Sequence, residues 1–238
     1  MSYYNKYIEY KNKYLKLKNQ IGGNNITINV RNNYETKQHN IPINTFIKEI
    51  KKTISNNMMI IICKDEKPII LTDDCVLAAE HNNVTIHIAS NLQRFIDAQN
   101  KGTSGSTYNQ AMGELKNGRK ETHWIWYCLP NIIRPNTSPT STHFAIKDFY
   151  EAIYYICNDI LRKRLLDMLK IILTKLKAGA HIETLMGMDV DVRKLKSCVT
   201  LFYHVFNYTK DNELKLLEDL KNITGEDNFT YNMINEFL

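Results

Sequence analysis

The segment GRKETHWIWYCLP, residues 118–130, holds both tryptophans of the chain together with a histidine, two cations and a tyrosine. An indole combines a large apolar surface with one N–H donor, and an imidazole titrates near neutral pH. This concentration of aromatic and basic side chains is typical of two settings, a hydrophobic core and the wall of a binding site. The sequence alone leaves both open.

A helical conformation would bring Lys120, His123, Trp124 and Tyr127 onto one face, since they follow the spacing i, i+3, i+4 and i+7. The faces of Trp124 and Trp126 can stack on a planar ring, and a lysine can meet an anion. His123 is the candidate catalytic residue, as a general acid or base. The alternative is structural, because tryptophans in an apolar run are most often core anchors.

The chain on either side of this segment is predicted to be helical from residue 91 to the end, because apolar residues recur there with a period near 3.6. Gly118 is expected to end one helix, and Thr142 to cap another. The segment 130–139 contains three prolines and is predicted to be a loop. The predicted helices cover residues 92–99, 108–117, 142–156, 161–176, 198–206 and 214–220.

A polar stripe follows the apolar one on the helix near residue 200. Arg193, Ser197, Thr200 and His204 are separated by four, three and four residues and therefore share a helical face. A guanidinium, two hydroxyls and an imidazole on one face can hold a phosphate or a carboxylate. Alternatively, the hydroxyls bond back to their own helix and the face has no ligand.

Several common chemistries have no motif in this chain. There is no GxGxxG, P-loop, HExxH or GxSxG sequence. The five cysteines are widely spaced and form no CxxC pair, which argues against a disulfide framework or a zinc site and for reduced thiols. Glu183, Asp189 and Asp191 come nearest to a carboxylate cluster, and we interpret them as a helix–helix junction. We therefore predict no metal and no cofactor.

Two motifs carry a family resemblance. RFIDAQ at residues 94–99 and GRK-x-x-HW-x-W from Gly118 resemble the DUF1810 family, a helical domain of unknown function, and the similarity extends over about residues 92–237. The chain has Leu129-Pro130-Asn131 where the family usually shows Phe-Pro-Gln, and residues 133–136 replace a glycine-rich continuation. The resemblance implies an α-helical fold but no established activity, cofactor or substrate.

These observations predict a cleft between the segment 118–130 and the helix over 196–204. It is expected to bind an anionic, partly planar ligand, either a nucleotide or an ADP-ribose-like compound. The predicted ligand-binding residues are Arg94, Gln99, Lys120, Trp124, Trp126, Lys196, Ser197 and Thr200. Two alternatives remain. One is a small hydrolase or transferase acting on a nucleotide-derived substrate through His123, with Lys120 or Arg94. The other is a structural or packaging virion component without a ligand.

Residues 24–90 are predicted to form a small module of strands with one helix over residues 46–54. Ile26, Ile28 and Val30 alternate as in a half-buried strand. The predicted order β-β-α-β-β-β resembles a ubiquitin-like β-grasp, which implies a recruitment surface or a spacing domain. Conjugation is excluded, because the last strand continues into residues 90–92 without a free diglycine.

Residues 1–23 form a basic leader. Tyrosine, leucine and isoleucine recur there at heptad steps, and residues 1–22 carry five lysines against one glutamate. A helix this short needs a partner, which can be its own protein, another protein, a membrane surface or nucleic acid. The segment resembles leaders on proteins of mimivirus-type giant amoebal viruses. That resemblance implies location in the host cytoplasm, at the viral factory, or in the virion.

The formal charge of the whole chain is +6, and most of it belongs to the leader. The rest is close to neutral, so nucleic-acid binding is not indicated outside the leader. No run of eighteen apolar residues predicts a membrane span. The predicted fold class is α+β, with an N-terminal helix over residues 1–23, a β-grasp-like domain over 24–90 and an all-α domain over 91–238.

Overall fold

The computed structural model describes residues 25–31, 36–42, 45, 49, 60–64, 67–71, 85–87, 92–103 and 106–235. The chain divides into two compact units, Met1–Ile88 and Ala89–Leu238. Most described residues are helical and a minority form small sheets, in agreement with the predicted α+β class. The leader predicted over residues 1–23 and the helix predicted over 46–54 lie outside the described residues, apart from isolated positions.

The first unit contains short strands, as predicted for residues 24–90. The strands are β1 (Asn25–Arg31), β2 (Thr36–Pro42), β3 (Ile60–Lys64), β4 (Lys67–Leu71) and β5 (Thr85–His87). β1 pairs antiparallel with β2 and parallel with β5, and β3 pairs antiparallel with β4. Ile28 of β1 is fully buried, as the alternation predicts, and Thr27 on the opposite face donates a hydrogen bond to Asn40 at 3.0 Å.

The second unit is built from helices joined by short loops. They are α1 (Gln93–Lys101), α2 (Tyr108–Asn117), α3 (Ile125–Cys128), α4 (Pro139–Phe144), α5 (Phe149–Cys157), α6 (Asp159–Lys177), α7 (Ile182–Met186), α8 (Asp189–Tyr208), α9 (Leu214–Thr224) and α10 (Asn228–Ile234). None of the described helices is both long and apolar enough to cross a membrane.

The long helices α6 and α8 organise the core of this unit. α8 packs against α5, α7, α9 and α10, while α6 packs against α1, α2, α5 and α9. A row of aromatic rings joins the layers: Phe95 meets Tyr155 edge to face at 5.1 Å, and Tyr155 lies 5.4 Å from Phe202. These three rings are fully buried, so aromatic packing fixes α1 and α5 against α8.

Local side-chain chemistry sets the helix ends. Thr107 and Gln110 form a capping box at the start of α2, and Gly118 ends that helix in the left-handed conformation with φ 87°, as predicted. Thr142 is not a cap, contrary to prediction, because it lies inside α4. Ser138 caps α4, whose first position is a proline, and Asp148 caps α5.

The segment 118–130 is helical only over Ile125–Cys128. The prediction that Lys120, His123, Trp124 and Tyr127 share a helical face is therefore wrong. The physical reason lies in Glu114 of α2, whose Oε2 accepts the backbone N–H groups of Glu121 at 2.8 Å and of Thr122 at 3.1 Å. Those donors serve a loop held against α2 and not the first turn of a longer helix.

Candidate functional site

A cavity of about 380 Å³ lies between residues 119–123, residues 186–188 and the first turn of α8. Arg119 and His123, both exposed, stand at its rim. Buried Lys120 and Asp191 form its floor, and half-exposed Met188 lies beside them. Its volume falls in the range of small-molecule sites in proteins.

Glu114 holds the loop that forms one wall of the cavity. Besides the two backbone donors, its carboxylate accepts the hydroxyl of Thr122 and the indole N–H of Trp124, the latter at 2.6 Å. Burial raises the pKa of Glu114, but these hydrogen bonds outweigh it and leave the pKa below its ordinary value. The carboxylate therefore stays charged at neutral pH and keeps residues 121–124 in one conformation.

The opposite wall is tied to the loop through the backbone. The N–H of Lys120 donates to the carbonyl of Leu185 at 2.8 Å, next to the end of α7. Gly187 follows with φ 82°, and a Cβ atom there would lie 3.1 Å from the carbonyl oxygen of Lys120. Both the left-handed backbone and this close approach favour glycine. Glycine at position 187 thus allows the end of α7 to approach the loop at Lys120.

The two floor residues belong to a triad of charges, Lys120–Asp191–Lys194, whose third member, Lys194, does not line the cavity. Nζ of Lys120 lies 2.6 Å from Oδ2 of Asp191, and Nζ of Lys194 lies 3.0 Å from Oδ1 of the same carboxylate. The side chains of Lys120 and Asp191 are 4% and 2% exposed. Two ammonium groups thus share one carboxylate, and the triad keeps one surplus positive charge in a poorly solvated place.

The two tryptophans contact the ammonium groups of Lys120 and Lys194 with their ring faces. Trp124 is fully buried, and Nζ of Lys120 lies 5.5 Å from the centre of its ring. Trp126 is half-buried, with Nζ of Lys194 at 4.5 Å from its ring and the imidazole of His123 at 6.0 Å. A fully buried ring cannot stack on a ligand, which corrects the prediction for Trp124. The indole faces instead stabilise the two ammonium groups by cation–π contact.

Arg94 and Gln99, both predicted to bind the ligand, make interactions within the fold. The guanidinium of Arg94 donates to the carbonyls of His143 and Ala145 and, at 2.6 Å, to the buried carboxylate of Glu151. The amide of Gln99 is buried and donates to the carbonyl of Tyr127 at 2.7 Å. Both residues fix α1 against its neighbours, and neither lines the 380 Å³ cavity. Their assignment to that site is therefore corrected.

The polar stripe on α8 faces the C-terminal segment of the chain. The hydroxyl of Ser197 shares a hydrogen bond with Thr230 at 2.7 Å, and that of Thr200 accepts the N–H of Asp227 at 2.8 Å. Ser197 and Thr200 are almost fully buried in this internal contact, and neither lines the 380 Å³ cavity. Lys196 lies beside Gly225, where an added Cβ would meet its Nζ at 3.2 Å. The predicted cleft between residues 118–130 and 196–204 is therefore not one continuous site.

His204 adds a further hydrogen bond between α8 and the C-terminal segment of the chain. A carboxylate can only accept, so the imidazole Nε2–H donates to Glu226 at 3.0 Å. Burial lowers the pKa of His204, and its contacts with Glu226 offset only part of that effect. The imidazole is therefore neutral at physiological pH and serves as a hydrogen-bond donor between α8 and the segment before α10.

The described cysteine thiols are poorly suited to act as nucleophiles or metal ligands. Cys128 and Cys198 are buried, and burial raises the pKa of both thiols far above neutrality. Burial likewise raises the pKa of Cys157 to about 11. A protonated thiol is a poor nucleophile and a poor metal ligand. Among the residues that the structure describes, no group of three histidine, cysteine or carboxylate side chains is arranged to hold a metal ion.

Sequence reasoning missed the centre of the triad. The predicted helix junction is confirmed, because Asp189 and Asp191 lie in the first turn of α8, directly after α7, but no ion pair is predicted for Asp191 and no role for Lys194. Their spacing of three residues on a helix was the available signal for an ion pair. The contact with Lys120 joins positions 71 residues apart in the chain, which no local pattern reveals.

Comparison with known proteins places the helical unit in a family. The family model described as a protein of unknown function, DUF1810, matches residues 89–230, more than half of the chain. The chain belongs to the DUF1810 family. The match spans the cavity and its charged triad, so the site described above lies within the family's domain.

A solved structure shows the same fold. The crystal structure of the conserved hypothetical protein Rv1873 from Mycobacterium tuberculosis has a TM-score of 0.52 and 29% sequence identity with this DUF1810 protein. The match covers 61% of this chain and 96% of the mycobacterial one. No curated protein matches the chain.

Proposed function

We propose that the helical unit of this DUF1810 protein binds a small anionic ligand in the 380 Å³ cavity. The observation that carries the proposal is the surplus positive charge of the Lys120–Asp191–Lys194 triad, two of whose members, Lys120 and Asp191, form the cavity floor. A buried net charge is unfavourable unless an opposite charge approaches it. An anion in the cavity supplies that charge.

The rim favours the same class of ligand. Arg119 is exposed, and its guanidinium can form paired hydrogen bonds with a phosphate or carboxylate. Glu121, also exposed, offsets part of this charge and disfavours a second anionic group on its side. The rim thus orients a ligand whose anionic end meets Arg119 and the triad.

The planar part of the ligand has fewer partners than the sequence predicts. The imidazole of His123 remains as a flat surface in the cavity, and the half-buried ring of Trp126, which does not line the cavity, lies 6.0 Å from it at a tilt of 32°. A base or another heteroaromatic ring can pack on His123 at the rim. A nucleotide or an ADP-ribose-like compound therefore remains the ligand class of this proposal.

A thermal-shift screen with nucleotides and ADP-ribose tests the proposal. A ligand present at 100 times its Kd stabilises a folded protein by about 2.7 kcal/mol, which is easily measured as a higher Tm. We expect stabilisation by at least one of these compounds, reduced in Arg119→Gln. The exposed Lys116→Gln at the end of α2 is the matched control, because it removes one cation away from the cavity. Absence of stabilisation by every compound would refute the proposal.

A catalytic role for His123 is the second candidate, since this imidazole lines the cavity. Lys120 cannot readily act as its partner, because its ammonium is buried against Asp191, and Arg94 is held by Glu151. The variant His123→Ala separates the candidates. The affinity should stay within a few-fold in either case, so turnover decides: a site that only binds shows none in the unmodified chain, whereas an enzyme of this type turns the compound over and loses that turnover in His123→Ala.

For the first unit we infer a ubiquitin-like β-grasp that recruits a partner. The support is the pairing of β1, antiparallel to β2 and parallel to β5, with β3 and β4 as a hairpin. For the leader we infer attachment to a protein partner of a giant virus, in the host cytoplasm or in the virion, from its heptad pattern and lysine content. Deletion of residues 1–22 with unchanged localisation and virion content would refute the latter.

A further inference from the structure

A second cavity, of about 240 Å³, lies on the other side of the first turns of α8. Its wall includes Arg134 from the loop before α4, Ser141 of α4, and Arg193 and Lys194 of α8, with Asp227 at the edge. Its volume is below the range of pockets that enclose a whole drug-sized ligand. It therefore suits a compact chemical group.

Three of these side chains are cationic and one is a carboxylate. Arg134 pairs with Asp227, and Lys194 pairs with Asp191 in the triad. Arg193 is exposed, and no described residue gives it an ion pair or a hydrogen bond. Its guanidinium therefore has its donors available in a cavity that already has an excess of positive charge.

The carboxylate of Asp227 is held by contacts that fall on one of its two oxygens. Its Oδ1 accepts the N–H of Thr230 at 2.8 Å and the hydroxyl of Thr230 at 2.7 Å, besides the contact with Arg134. Arg134 is also held over the ring of Phe229, with its guanidinium carbon 4.3 Å from the ring centre. The position of Arg134 at the cavity wall is thus fixed before any ligand binds.

We propose that this second cavity binds a phosphoryl group, either inorganic phosphate or the end of a small phosphomonoester. Arg193 makes the principal charged contact, and Arg134 also lines the cavity. The hydroxyl of Ser141, which has no hydrogen-bond partner among the described residues, supplies a further donor. Two guanidinium groups and a hydroxyl match the several oxygens of a phosphoryl group, since charge-assisted bonds from arginine to phosphate are short and directional.

The test is a calorimetric titration of inorganic phosphate into the full chain and its variants. Arg193→Gln removes the principal contact and, because the side chain has no described partner, is expected to fold normally. We expect its affinity to fall at least tenfold, since a charge-assisted hydrogen bond contributes about 1.5–3 kcal/mol. Lys196→Gln is the matched control, a cation of the same helix that lies beside Gly225 and outside the cavity, and should change the affinity less than twofold.

The source of the phosphoryl group is distinguished by titration with glycerol 1-phosphate. Tighter binding of the ester than of phosphate assigns the site to a phosphomonoester, and tighter binding of phosphate assigns it to the free anion. Loss of phosphate binding in Arg119→Gln but not in Arg193→Gln would overturn the proposal, because it places the anion in the first cavity. Absence of binding to the unmodified chain would overturn it as well. The proposal does not depend on nucleotide binding in the first cavity.

Discussion

The ammonium of Lys120 lies 2.6 Å from the carboxylate of Asp191, although these residues belong to a loop and to a helix far apart in the chain. Lys194 approaches the other oxygen of the same carboxylate at 3.0 Å. The contact thus fastens the loop over residues 119–123 to α8 and leaves one positive charge without a partner in the triad. A structural link and an electrostatic attraction for anions therefore come from the same three side chains.

Asp191→Asn should be far more damaging than Lys120→Met. The first change leaves the buried ammonium of Lys120 and the partly exposed ammonium of Lys194 without a carboxylate, which costs roughly 3–5 kcal/mol of unfolding free energy. The second leaves the pair of Asp191 and Lys194 intact, so we expect a loss of about 1 kcal/mol or less. Denaturant unfolding at neutral pH measures both. The exposed Asp189→Asn in the same helical turn is the control, and equal losses in the two buried variants would contradict the account of the triad.

Glu114→Gln should loosen the loop that forms the cavity wall. The amide keeps the size of the side chain but cannot accept from the backbone, Thr122 and Trp124 together, and we expect a loss of about 1–3 kcal/mol. The carboxylate of Glu114 has a lowered pKa. Its contribution is therefore complete above the ordinary pKa of a glutamate and disappears as the pH falls through the folded-state value. Unfolding at pH 7 and in the acid range should show a smaller acid loss in Glu114→Gln, whereas the exposed Glu121→Gln should behave like the unmodified chain.

The lowered pKa of His204 predicts a second, smaller pH dependence of the unfolding free energy. Its pKa is lowered in the folded state, mainly by burial. The unfolded chain therefore binds a proton first, and stability falls as the pH drops below the ordinary histidine value of about 6.5. Unfolding free energies at pH 7.5 and pH 5.5 measure the effect. His204→Gln should reduce this difference and the exposed His181→Gln should not, so an unchanged difference in His204→Gln would count against it.

Arg94→Met should lower the unfolding free energy of the protein without changing its affinity for the ligand. Removal of the guanidinium leaves the buried carboxylate of Glu151 without this ion pair, which should cost roughly 3–5 kcal/mol of unfolding free energy. Ligand affinity of the folded variant should stay within twofold of that of the unmodified chain, since Arg94 does not line the cavity. Calorimetric titration at low temperature, where the variant remains folded, measures that affinity. A large loss of affinity without a loss of stability would restore Arg94 to the binding site.

The sequence predicts the longer helices α1, α2, α6, α8 and α9 because each has an apolar stripe, but it misses the short helices α3, α7 and α10 and merges α4 with α5. Gly118 ends α2 as expected, and the stripe over residues 161–176 lies within α6. The segment 118–130 is different, because the backbone N–H groups of Glu121 and Thr122 donate to the side chain of Glu114 and hold these residues in a loop. A hydrogen bond from one element to another leaves no periodic trace in the sequence.

The site is predicted only in part for a related reason. Lys120 and His123 do line a cavity, but Ser197, Thr200 and Gln99 serve internal hydrogen bonds. A polar residue beside an apolar stripe has the same spacing whether it faces a ligand or another segment of the same chain. Only the position of the segment 225–231 distinguishes the two cases, and that position depends on tertiary packing.

Calorimetric titration of adenosine diphosphate into the unmodified chain, Arg119→Gln and Lys120→Met tests the central claim most directly. If the cavity attracts an anion through its surplus positive charge, each variant should bind about tenfold more weakly, since tenfold corresponds to about 1.4 kcal/mol. The control Lys116→Gln should remain within twofold of the unmodified chain. Equal affinities in all four proteins, or no binding by the unmodified chain, would contradict the claim.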